Sequence, residues 1–295
     1  MTDAISSRQL FWRVAPFVFV ILWAGGFAFA KLGLAHAEPM TLLTLRYAFA
    51  VLALLPLLQL RRPRWPSGMR HWGAVAATGF LIQCVYFGMA YLAMKHGMNA
   101  GTTAIIMALQ PALVAALAPL AGGRRGGGRL WLGLALGFAG VVLTVAFDGS
   151  LGPSPWGAIL LALGALFGFT SATLFEKWHG MATDPVAGGI VQYVVGFAVL
   201  LPVAASIESM VIDWHPELIV SLAYLVVANS LISIALFIAL IQRGDATRTS
   251  SLMYLVPPLA MVVAFVLLGE PLGPQVIAGL ALSAAGVYIV SRQTA

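Results

Sequence analysis

Polar side chains that recur at helical spacing inside apolar segments are the features of this sequence with the most evident chemistry. Thr103, Met107 and Gln110 fall at i, i+4 and i+7, and Ser250, Tyr254 and Pro257 repeat that spacing 147 residues later. Gln83 and Tyr86 share one helix face, and Ser230 and Ser233, beside Asn229, stand at the matching positions of the second set. In lipid such groups face a cavity or a neighbouring helix. Each one taken alone also suits packing between helices; as matched pairs they point to an uncharged, polar lining. Proline adds acceptors, because it removes a backbone bond and frees the carbonyl four residues earlier. Pro111 releases Met107 in this way, and Pro257 and Pro258 release Met253 and Tyr254, so these prolines are candidate hinges. Trp23, Phe27, Tyr86, Tyr91, Phe169 and Tyr254 offer rings for an apolar or aromatic group. The candidate binding set is Trp23, Gln83, Tyr86, Thr103, Met107, Gln110, Asn229, Ser233, Ser250 and Tyr254.

Other chemistries have no visible seat. His36, His71, His96, His179 and His215 lie in or beside loops without metal-ligand spacing. No phosphate loop, nucleophile elbow or dinucleotide fingerprint is present, so neither cofactor nor catalysis is expected. Cys84 is the single cysteine, which excludes an intrachain disulfide and a thiolate cluster. Glu38, Asp148, Glu208, Asp213, Glu217 and Glu270 are expected on one side of a membrane and Asp3, Glu176, Asp184 and Asp245 on the other. None stands at mid-depth as a proton relay, which favours a neutral or zwitterionic ligand. Arg46 alone lies within an apolar run, where snorkelling or pairing with Glu38 is expected.

The elements that position these groups follow from composition. Of 295 residues, 61% are apolar and 9% charged, with a mean hydropathy of +0.95. A soluble domain carries roughly a quarter charged residues, so the bilayer is the expected solvent. A helix needs about 20 apolar residues to cross it. Ten runs qualify, near 14–34, 41–60, 71–94, 98–120, 130–147, 155–175, 185–206, 216–241, 246–268 and 272–290. The first run also has the look of a cleaved signal, with Arg8, Arg13 and Ala28-Phe29-Ala30, but its counterpart deep in the chain argues for retention. Thirteen Lys and Arg fall in loops on the side of the termini and only Lys31 and Lys95 on the other, which predicts cytoplasmic termini. The net charge of +6 is explained by that topology and not by nucleic acid. Trp65, Trp72, Trp131, Trp156 and Trp214 lie near run ends, as an aromatic belt requires.

Sliding the second half over the first by 146 or 147 positions aligns the two. Gly133-Leu134-Ala135-Leu136 recurs as Gly279-Leu280-Ala281-Leu282, and Ala139-Gly140-Val141 as Ala285-Gly286-Val287. Lys31, Pro39 and Tyr47 fall on Lys177, Pro185 and Tyr193; Gly97 and Pro111 fall on Gly244 and Pro258. Five crossings per copy is an odd number, so the second copy enters the membrane from the other side. Segments 1–147 and 148–295 are thus expected to form two inverted five-helix repeats around a central cavity, an all-α integral membrane protein. Inverted repeats give inward-open and outward-open states of similar energy, the geometry of alternating access.

With these residues in place the sequence resembles the EamA-type transporters of the drug/metabolite transporter superfamily, over nearly its whole length. The resemblance rests on Trp23, Lys31, Pro39 and Arg46 in the first half. In the second it rests on Lys177, Pro185, Pro257-Pro258, the Gly269-Glu270-Pro271-Leu272 turn and the segment Gly279 to Gly286. The Gly-Glu turn that members often carry after the fourth crossing is replaced by Gly122-Gly123-Arg124. The arrangement is most similar to YddG-like exporters. The resemblance implies an inner-membrane protein exporting neutral or aromatic amino acids, and the Gly133/Gly137 spacing with its Gly279/Ser283 counterpart suits close helix packing within a monomer or between two monomers of a weak homodimer. A multidrug or other metabolite carrier is the alternative within the family, and an integral-membrane enzyme the alternative outside it.

Overall fold

The computed structural model describes residues 7–98, 103, 106–121, 126–146, 155–179, 183–243, 246–268 and 273–293. Within these, ten rods account for almost every residue. They are α1 (Ser7–Leu34), α2 (Pro39–Arg61), α3 (Gly68–Lys95), α4 (Gln110–Leu120), α5 (Gly128–Ala146), α6 (Trp156–His179), α7 (Pro185–Ile207), α8 (Pro216–Arg243), α9 (Ala246–Ser251, Leu252–Leu255 and Val256–Leu268) and α10 (Pro274–Gln293). Seven of them are long and apolar enough to cross a bilayer by themselves. The turns Gly122-Gly123-Arg124 and Gly269-Glu270-Pro271-Leu272 lie outside the described residues, as do Gly244 and the side chain of Phe27.

Local sequence explains where the rods begin and bend. Proline opens α2, α7 and α8, where its fixed φ suits the first turn and its missing N–H costs nothing. Asp184 caps α7 by accepting from the amides of Val186 and Ala187 at 2.9 and 3.4 Å. α3 and α8 each contain a π-helical stretch, Phe80–Tyr86 and Leu225–Ile234, at equivalent places in the two halves. α4 and α9 are irregular just before their prolines: a turn closed by the Leu109 amide on Ile106 O precedes Pro111, and the 3₁₀ stretch Leu252–Leu255 precedes Pro257.

The two halves run in opposite directions. α5 and α10 touch at Gly133 with Gly286, Gly137 with Ser283 and Gly140 with Gly279, so one number falls as the other rises. These helices are equivalent under the 146-residue shift, yet they are antiparallel, which is what inversion means geometrically. Only small residues fit there: a Cβ on Gly133 would lie 2.9 Å from the Gly286 carbonyl. α2 and α7, also equivalent, cross antiparallel through Tyr47 with Gly196 and Leu54 with Gly189. α1 meets α8, whose Ser221, Tyr224, Asn229 and Ser233 donate to carbonyls of Phe29, Leu22 and Phe19. The equivalent pair α6 and α3 meets through Gly168 and Val85. Each of these crossings joins one half to the other, so the repeats are interleaved and share one core.

Candidate substrate site

Trp23, on α1, is the hub of the interior. Its ring lies 5.7 Å from Phe169 and 6.4 Å from Tyr86, both nearly parallel to it, with Phe19, Phe87 and Phe237 tilted around them at 5.4, 6.1 and 5.6 Å. Four helices, α1, α3, α6 and α8, contribute one or two rings each to this cluster. Its members are buried, so the expected central cavity is occupied by aromatic side chains in this conformation.

Arg46 stands at the edge of the rings. The sequence reading gave it a snorkelling position or a bond to Glu38, and the structure corrects both. Its side chain is 1% exposed. Nε donates to Ser230 Oγ at 2.7 Å and Nη2 to Asn229 Oδ1 at 2.6 Å, while the guanidinium lies 4.5 Å over the ring of Phe87. The π-helical stretch of α8 turns Asn229 and Ser230 inward together, and the tyrosines of the repeat fix that stretch. Tyr193 donates to the Ser230 carbonyl at 2.5 Å, and its counterpart Tyr47 donates to the Gln83 carbonyl at 2.8 Å.

The candidate residues fall into two groups. Trp23, Gln83, Tyr86, Asn229 and Ser233 gather at the ring cluster and Arg46, with Met107 packed on the same core. Gln110 and Ser250 form a second polar knot, in which Gln110 Nε2 donates to Thr173 Oγ1 and Ser250 Oγ, each at 3.2 Å. Thr103 is buried. Tyr254 packs instead on Gly137 among Ala108, Leu134 and Val287, away from Trp23. Several buried polar atoms have no partner among the described residues: Arg46 Nη1, both amide atoms of Gln83, Gln110 Oε1 and Tyr254 Oη. Phe87, Phe237 and Thr173 join the site without having been singled out in the sequence, where a lone Phe or Thr in an apolar run carries no signal.

A cavity of about 50 Å³ enters from the face that bears both chain ends, here the terminal face. It is lined by Glu176, Asp184, Gln192, Tyr193, Ser230 and Gln242, among others, and has room for a few waters. Glu176, expected in a loop, lies within α6 and accepts from Thr78 Oγ1 at 3.1 Å and Gln242 Nε2 at 2.5 Å.

The opposite, distal face bears an open depression of about 520 Å³ among His36, Glu38, Lys95 and Ser209, and polar contacts join the halves around it. Glu38 accepts from Lys95 Nζ at 2.8 Å and from the amide and hydroxyl of Ser209, which together hold its carboxyl down at about 2. Glu208, at the end of α7, accepts from the amides of Met40 and Thr41 and from Thr41 Oγ1, all at 2.8 Å, and so caps α2 from the other half. His36 donates to Asp213 and Glu217 at 2.9 and 3.0 Å and stacks on His215. Sequence spacing gives no hint that ligand-type atoms of His36, His215 and Glu217 converge to within 4.8 Å of one another.

Known proteins resemble this chain along its whole length. The model of the EamA-like transporter family matches twice, over residues 10–146 and 156–292. An uncharacterized transporter of Bacillus subtilis, YvbV, is 26% identical over 278 residues, covering 93% of this chain and 90% of the relative. A probable amino-acid metabolite efflux pump of Salmonella typhimurium is 27% identical, covering 92% and 91%. A solved crystal structure superposes with a TM-score of 0.79 at 17% identity, covering 95% of this chain and 96% of the other, which establishes the fold. On a match that falls twice and spans nearly every residue, this chain belongs to the EamA-like transporter family.

Proposed function

We propose that the protein exports small amphipathic metabolites, neutral or aromatic amino acids, from the cytoplasm across a bacterial inner membrane by alternating access. Residues 1–147 and 148–295 act as the two inverted repeats, and the terminal face is cytoplasmic. One observation carries this proposal: equivalent helices cross antiparallel about a shared polar and aromatic centre, with a narrow cavity reaching Ser230 and Tyr193 from one face and cross-repeat contacts tying the two halves together at the other. A fold whose halves are related in this way has two near-equivalent states, and the distal contacts between the repeats hold one of them. Trp23, Tyr86, Asn229 and Ser233 contact the solute, Gln110, Thr103 and Ser250 line its route, and Pro111, Pro257 and Pro258 bend α4 and α9 as it passes. The name of the Salmonella relative supports the substrate class. Reconstitution into liposomes with labelled Phe, Thr and Met tests it: saturable counterflow is expected, and its absence for all three removes the amino-acid assignment.

A second reading, a proton-coupled carrier of organic cations, is favoured by Glu176, a carboxylate on the cavity wall bonded to two other helices. An imposed proton gradient that drives cation uptake, and fails to do so in Glu176→Gln, would select it.

A further inference from the structure

We propose that Arg46 is the anchor for a carboxylate on the transported solute, so that the site selects amphipathic carboxylates over amines of the same size. The inference deepens the transport proposal and rests on it.

A guanidinium that is 1% exposed inside a membrane protein needs a counter-charge. Its hydrogen-bond acceptors here, Ser230 Oγ and Asn229 Oδ1, are neutral, and Nη1 has no partner among the described residues. Three carboxylates of the helix ends and cavity wall are engaged elsewhere. Glu38 is held by Lys95 and Ser209, Glu208 by the first amides of α2, and Glu176 by Thr78 and Gln242. An anion is therefore the missing group, and a carboxylate suits the planar fork because it accepts two parallel N–H bonds.

The surroundings say what the rest of the ligand is. Phe87 lies under the guanidinium and also against Trp23, so the cation and the ring cluster are adjacent parts of one site. Gln83, whose main-chain carbonyl is bound by Tyr47 next to Arg46, holds an unpartnered amide that can meet an ammonium through its oxygen. Ser230 lines the cavity from the terminal face and accepts from Nε, so the guanidinium stands directly behind the cavity's inner wall. A solute reaching Ser230 with a carboxylate leading takes up Nη1 and places an apolar tail toward Phe87 and Trp23.

The test is equilibrium binding to the purified protein, read by tryptophan fluorescence, with three probes: L-phenylalanine, 3-phenylpropionate and phenethylamine. In the wild type the two carboxylates are expected to bind at least about tenfold more tightly than the amine, the scale of one charge-assisted bond. Arg46→Gln should weaken the carboxylates by on the order of 10- to 100-fold and leave phenethylamine unchanged, with Arg46→Lys between. Equal binding of 3-phenylpropionate and phenethylamine to the wild type overturns the proposal even if no variant assembles. So does binding of none of the three, or a folded Arg46→Gln that keeps carboxylate affinity. Flux separates this from the transport proposal. Phenylalanine counterflow without carboxylate preference removes the anchor and leaves transport standing. Arg46-dependent binding without flux upholds the anchor and removes transport.

Discussion

Tyr47 and Tyr193 lie face to face at the centre of the protein, ring centroids 5.9 Å apart, and each hydroxyl donates to a carbonyl in the π-helical stretch of the helix beside it. The pseudo-two-fold axis passes between them. A π-helical stretch leaves main-chain acceptors less well served by the helix itself, and the two tyrosines supply the donors. They thereby hold in place the segments that carry Gln83 on one side and Asn229 with Ser230 on the other.

Tyr47→Phe and Tyr193→Phe should each destabilise the protein by about 0.5–2 kcal/mol, the range for a buried acceptor that loses its donor inside a membrane protein. Thermal unfolding in detergent measures this. Because the two bonds are equivalent, losses of clearly different size would contradict the symmetry.

Gly286→Val should prevent stable assembly or cost about 1–3 kcal/mol or more, since an added Cβ would meet the backbone of Gly133 and Gly137 at 2.5 Å. Gly73→Val on α3 is the control, because nothing lies within 4 Å of its Cβ position. The comparison is the monodisperse yield on size exclusion, and an intact Gly286→Val would mean that α5 and α10 do not cross as closely as described.

Glu208→Ala strips α2 of three donors' acceptor and should favour opening of the distal face. A loss near 1.4 kcal/mol shifts the population about tenfold. Spin labels at His96 and Trp214, both outside the helices' buried faces, would report a longer distance component in the variant. An unchanged distribution would show that Glu208 only caps.

The His36 bridge should weaken with rising pH. Hydrogen bonds to Glu217 and then Asp213 raise its pKa above the usual 6.5, against a smaller opposing effect of burial. A raised pKa means the contribution is complete below 6.5 and fades as pH climbs through the raised value. As pH climbs from below 6.5 through that raised value, the same spin-label distance should lengthen in the wild type. His36→Gln should show no such step, which separates His36 from the neighbouring His215, and a step of equal size in both would assign the effect elsewhere.

Much of this architecture was legible in the residue order. Apolar run length and the Gly133 to Val141 repeat at Gly279 to Val287 specify ten crossings and the inversion, because membrane thickness and helix rise leave little freedom and five is odd. The matched stripes place Gln83, Asn229 and Ser233 on inward helix faces, where they are buried, because side chains on one helix follow its 3.6-residue period. What tertiary structure alone decided is which stripes meet. Tyr254 carries the same spacing as Met107, yet it packs on Gly137 with α5 and α10, since the face it presents depends on how those helices cross. For Arg46, the charge within an apolar run, the sequence predicts snorkelling or a bond to Glu38, because one turn from the end of α2 permits either. Only the inward turn of Asn229 and Ser230, residues 183 and 184 positions away, makes it the buried charge at the centre of the molecule.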